Sequence, residues 1–147
     1  MWPILGAFGV IAGVWIAGYV KLRNEQGELL PISVQETLSR FFPELDLSKV
    51  KVIISELAQA LPTKAGAFTP LWDLIVIRPE LWRPDTVYGL GLIGNELTHI
   101  RQWKRLGMMF LPMIVWDYIG YGDHKGPLER ESTEMMQRII RELRGTL

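Results

Sequence analysis

The chain contains no cysteine. Disulfides, thiolate metal sites and cysteine nucleophiles are thereby excluded, and the redox compartment is left open. Histidine is nearly as scarce, with only His99 and His124. Any metal site must therefore lean on carboxylates or amides. A net charge is also missing, because 16 Lys and Arg balance 16 Asp and Glu. Without a basic field, nucleic acid is not an expected partner. The length of 147 residues is that of one domain.

Charge is absent locally as well. Residues 1–20 hold no charged side chain. As a helix they would cover about 30 Å, the thickness of a bilayer's hydrocarbon core. Trp2 and Tyr19 lie near the two ends, and Lys21 and Arg23 follow. No basic start and no clear cleavage site mark a secretory signal. The expectation is an uncleaved transmembrane anchor over residues 1–22, with the domain on the cytoplasmic or an equivalent inner side. A hydrophobic helix buried in a soluble assembly is the competing reading. Gly9, Gly13 and Ala17 recur every four residues, a stripe that allows self-association or merely reflects common membrane-helix composition.

The remaining residues, 23–147, read as a mixed domain. Asn24–Leu30 is a polar turn containing Gly27. Ser33 and Glu36 form the spacing of a capping box before a short helix that Pro43 ends. Residues 49–55 alternate as a strand with Val50, Val52 and Ile54 on one side. Residues 56–70 are mixed, with Pro62, Gly66 and Pro70 as breakers. Residues 71–77 form a second strand, apolar enough to be more buried. Asp85 or Thr86 caps a long helix that runs to about Leu106 and stops at Gly107. Residues 108–116 are apolar but too short to span a bilayer, and Pro112 interrupts them. They cover the core or dip into an interface. A loop follows, and Glu129 opens a last helix with Leu128, Met135, Ile139 and Leu143 as its apolar stripe.

The long helix carries the chemistry. Leu90, Ile93, Leu97 and Ile100 share one side of a helical wheel. Tyr88, Leu92, Asn95, His99 and Gln102 share the other, with Glu96 and Trp103 beside them. An ordinary surface helix would show a charged front instead of an amide, a carboxylate and an imidazole among aromatics. Each polar group also has a plainer role. His99 fits a core histidine bonded to a backbone carbonyl, and Glu96 a buried carboxylate paired with Arg101. Glu129 fits a helix N-terminus, where a carboxylate meets the positive end of the dipole. Trp72 and Trp103 fit packing.

Glu96-Leu97-Thr98-His99-Ile100-Arg101-Gln102-Trp103 resembles the active helix of zincin-like metallopeptidases. The nearest pattern is that of small bacterial and phage-encoded domains reading His-Glu-Leu-x-His-x-x-Gln-Trp. Their later helix begins near Asn-Pro-x-Glu-x-Glu-Ala, which Gly126-Pro127-Leu128-Glu129-Arg130-Glu131-Ser132 matches loosely. The likeness covers residues 32–144 in layout, with the strand 71–77 placed where such domains line their cleft. It implies His99 and Glu129 as zinc ligands and Glu96 as general base, with Glu129 preferred to Glu131. Asn95 stands where the first zinc-binding histidine belongs, and Thr133 where an orienting aspartate belongs.

A catalytic zinc takes about three protein ligands and one water. Asparagine offers only a neutral amide oxygen, which suits harder ions. The expectation is thus an α+β, zincin-like fold: a small sheet on a long active helix, a Glu129-bearing helix, and a transmembrane N-terminus. The function expected is a binding or assembly module with a degenerate metal site in a membrane or phage-particle complex. The alternative is an active metallopeptidase using ligands Asn95, His99 and Glu129, with zinc held loosely and Glu96 as base. A third reading makes the anchor the main part and the domain a plug. His124 would supply the missing imidazole if its loop folds over the cleft, whereas its Gly-rich setting suits an exposed loop.

Overall fold

The computed structural model describes residues 2–60, 66–121 and 126–146. In chain order they form α1 (Trp2–Gln26), β1 (Glu28–Leu29), α2 (Ile32–Leu38), β2 (Lys51–Ile54), β3 (Ala67–Leu71), β4 (Leu74–Ile77), α3 (Val87–Leu106), α4 (Phe110–Tyr121) and α5 (Pro127–Arg144). The sheet has strand order β1-β2-β4-β3. β2 and β4 run parallel, while β1 pairs antiparallel with β2 and β3 pairs antiparallel with β4.

Both faces of this sheet are covered, which explains why β4 is apolar at every position and buried throughout. One face, with Val52, Ile75 and Ile77, packs against Val34, Leu38, Phe42, Ile93, Leu97 and Ile139. The other face, with Ile53, Leu74 and Val76, is covered by Ile16, Tyr19, Val20 and Leu22 of α1. Alternation in β2 is consequently imperfect: Val52 and Ile53 are both buried, and Ile54, expected to share a side with Val50 and Val52, is exposed.

The docking of α1 corrects the expectation of a transmembrane N-terminus. Among the described residues no helix is long and apolar enough to cross a membrane. The second half of α1 belongs to the domain. Trp15 Nε1 donates to Pro70 O at 2.9 Å, and Arg23 Nη1 donates to both carboxylate oxygens of Asp73 at 3.0 and 2.8 Å. Only the turns before Trp15 stand clear of those contacts, and about 13 helical residues rise roughly 20 Å, short of the ~30 Å hydrocarbon core. On that outer half, Gly9 and Gly13 face open space.

Local signals were partly misleading elsewhere. α2 starts at Ile32 after Pro31, with no side-chain cap, so Ser33 and Glu36 do not form a capping box. The fixed φ of proline already sets the entry into the helix. The helix gives way to a 3₁₀ turn over Ser39–Phe41 before Pro43 is reached. Glu28 and Leu29 form β1 within the expected polar turn, and β3 arises within the expected mixed stretch. β3 tolerates Pro70 because it is an edge strand with a register shift between Phe68 and Leu71. Pro112 does not interrupt α4, since it lies in the helix's first turn.

α3 forms where its signals place it. Thr86 Oγ1 accepts from Gly89 N at 3.0 Å, and Gly107 ends the helix with φ 58°. Its closest partner is α5. A side chain at Gly94 would collide with Ile139 Cδ1, so the missing Cβ lets the two helix axes approach. That approach brings Glu129, in the first turn of α5, beside the front of α3.

Candidate functional site

The front of α3 forms the floor of a cavity of about 540 Å³. Asn95, Glu96 and His99 line it from α3, and Glu129 from α5. β3 contributes Phe68 and Thr69. The walls are apolar: Trp15 from α1, and Leu111, Ile114, Val115 and Ile119 from α4. The strand at the cavity is therefore β3, whereas the stretch 71–77 had been expected there. An edge strand leaves its carbonyls free for other partners, and Trp103 Nε1 donates to Thr69 O at 3.0 Å.

The structure brings the sequence-predicted residues together. His99 is 7 % exposed and Glu96 4 % exposed. His99 Nε2 lies 3.4 Å from Glu129 Oε1. Glu96 Oε2 accepts from Thr69 Oγ1 at 2.7 Å. Its expected partner Arg101 instead meets Glu44 and Glu131, at 3.3 and 3.6 Å. Trp103 is buried in packing, in edge contact with Trp72. His124 lies outside the described residues.

His99 is not bonded to a backbone carbonyl. Its Nδ1 lies 2.8 Å from Gln102 Oε1. The amide of Gln102 is oriented by its other end, because Nε2 donates to Leu128 O at 3.0 Å. Oε1 must then accept, so Nδ1 carries the hydrogen. In the neutral ring this tautomer leaves the Nε2 lone pair facing Glu129. A protonated ring would donate from Nε2 to the same carboxylate. Gln102 is fully buried, so this orientation is fixed by packing as well.

Glu129 is held by a residue the sequence reading passed over. Asp117, in α4 and 4 % exposed, accepts from Leu128 N at 3.0 Å and Glu129 N at 3.2 Å through Oδ2. It caps α5 from outside, since the N-cap residue Gly126 has no side chain to offer. A Cβ at Gly126 would run into this carboxylate. The signal was present: Asp117 is the only charged residue between Met108 and Tyr121. A lone carboxylate in an apolar stretch requires a partner.

Zinc tests the donor set. His99 Nε2 and Glu129 fit a metal, and Gln102 supplies the outer hydrogen bond that orients a ligating imidazole. Among the described residues no group of three His, Asp or Glu could hold a metal ion. Asn95 lines the cavity but brings a neutral amide. The described residues alone do not make up a zinc site.

Comparison with known proteins adds no family. No family model, no curated protein and no solved structure matches the chain.

Proposed function

We propose that the chain is a zincin-like domain with a lapsed metal site, acting as a binding or assembly module. The observation that carries this reading is the floor itself. Glu96, His99 and Glu129 line one cavity with Asn95, which stands where the resemblance calls for a histidine. On this reading the floor is the remnant of a metal site that lacks its first histidine.

The outer surface supports assembly. Val10, Ile11 and Val14 on α1, and Val115, Trp116 and Ile119 on α4, are exposed apolar side chains. Such patches mark docking surfaces, in keeping with a place in a membrane-associated or particle complex.

Metal analysis of protein purified without added metal tests the reading. The native chain should carry no zinc, and Asn95→His should take up near one equivalent. Near-stoichiometric zinc in the native chain, lost in His99→Ala, would overturn it. Proteolysis abolished by Glu96→Gln would establish the working peptidase instead.

A further inference from the structure

We propose that this protein docks on a lipid bilayer through the outer half of α1 and the outer face of α4, entering one leaflet without crossing. The inference rests on the reading of those two surfaces as docking surfaces and names their partner. It does not depend on the state of the metal site.

The two surfaces are apolar in ways that contact with water does not explain. α4 is turned inside out. Its only charged side chain, Asp117, is 4 % exposed and caps α5, while Trp116 and Ile119 are 71 % and 73 % exposed. A helix facing water places its charge outward and its large apolar side chains inward. α1 changes character along its length. Beyond Trp15 it packs on the sheet through Ile16, Tyr19 and Val20. Ahead of Trp15, every residue from Gly6 to Val14 except Ala12 is exposed. Successive residues of a helix turn by about 100°, so Phe8, Val10 and Ile11 face three different ways. No charged residue interrupts them.

That distribution selects lipid over protein. A second copy of the chain, or another protein, covers one face of a helix and leaves the others wet. Hydrocarbon covers every face at once, and a helix apolar all round calls for such surroundings. Length sets the depth. The turns ahead of Trp15 rise roughly 20 Å, which matches one leaflet with its headgroup layer, half of the ~40–45 Å of a whole bilayer. Trp15 is held to Pro70 O at 2.9 Å, which roots the outer half of the helix at the domain surface. α4 meets that root, since Leu111, Ile114 and Ile119 line the same cavity as Trp15. With α1 inserted, Trp116 meets the headgroup layer, where aromatic rings are favoured.

Flotation of the full-length protein with phosphatidylcholine vesicles tests the proposal. The protein should rise with the vesicles, and about 1 M salt should not release it, because the docking surfaces hold no exposed charge to screen. Ile11→Glu and Trp116→Ser should each lower the partition at least about tenfold, since burial of one large apolar side chain contributes that much. Their circular dichroism spectra should stay native, because both positions are exposed. The chain has no cysteine, so a single introduced one can carry an environment-sensitive dye. Dye at Val10 or Ile119 should shift to the blue on vesicles, and dye at Glu36, on α2 across the sheet from α1, should not. Four results would overturn the proposal: protein left at the bottom of the gradient, flotation only with anionic vesicles and lost in salt, unchanged flotation of either variant, or a blue shift at Glu36 equal to that at Val10. Where the protein stays down, its size in solution separates the two levels. An oligomer dispersed by Ile11→Glu sinks the lipid inference alone and leaves a protein partner. A monomer sinks the docking-surface reading as well.

Discussion

The floor and the walls of the cavity are built by different means. On the floor, nearly every polar group is held by another side chain. Thr69 holds Glu96, Gln102 holds His99, and Asp117 holds the backbone that carries Glu129. The walls on α1 and α4 present apolar surface inward and, at Trp116 and Ile119, outward as well, with exposures of 71 % and 73 %. Apart from the bond from Trp15 to Pro70 O, the wall side chains named above are held by packing. A buried polar network is worth little net stability when complete and costs a great deal when broken. An exposed apolar residue can change at little cost to the fold. The contrast means that breaking the floor's hydrogen-bond network should cost stability, whereas changing an exposed wall residue should leave the fold intact.

Breaking the floor should produce the largest effect. In Gln102→Leu the new side chain can neither accept from His99 Nδ1–H nor donate to Leu128 O. Two buried groups are left unsatisfied, at about 1–3 kcal/mol each. A loss of about 2–5 kcal/mol is expected, measured as a lower urea midpoint with an unchanged slope. A loss under about 1 kcal/mol would mean that the floor is no more tightly specified than the walls.

Asp117→Ala should come next. It removes a cap worth about 1–2 kcal/mol and leaves Leu128 N–H and Glu129 N–H without their acceptor. Asp117→Asn keeps an acceptor oxygen and should recover part of the loss. In the Asn95→His background, Asp117→Ala should also weaken zinc uptake about tenfold, because Glu129 loses the group that places it. A capping role confined to stability would leave zinc uptake unchanged.

How much of this was legible in the sequence depended on where the signal lay. α3 could be read because its cap, its stop and its two-sided wheel agree within one element. So could the meeting of His99 and Glu96 on its front. α1 was misread because an uncharged run of the right length looks the same whether it faces lipid or a sheet. The docking is visible only in tertiary structure: Trp15 reaches Pro70 and Arg23 reaches Asp73. A two-faced apolar strand at residues 74–77 did call for a second covering layer, and α1 supplies it. β3 was missed because Gly66 and Pro70 read as breakers, whereas an edge strand accommodates them. Asp117 was missed because its partners are backbone amides in another helix.

On the walls, Ile119→Ser should change stability by no more than about 0.5 kcal/mol. A large loss of stability there would erase the distinction between the two regions.

The smallest effect probes how the α1 wall is rooted. Tyr19 lies edge-on to Phe68, and burial against the sheet raises its pKa above the usual 10.0. The folded state therefore holds the hydroxyl proton more tightly than the unfolded chain does. Stability from this source is full below pH ~10, where both states keep the proton, and declines as pH rises through the unfolded and toward the folded value. Tyr19→Phe should flatten that part of the alkaline decline. Absorbance near the phenolate band should show that this variant lacks a step titrating above the usual tyrosine value. Were α1 undocked, Tyr19 would sit in water, nothing would disfavour its phenolate, and the native and variant titrations would differ only in amplitude.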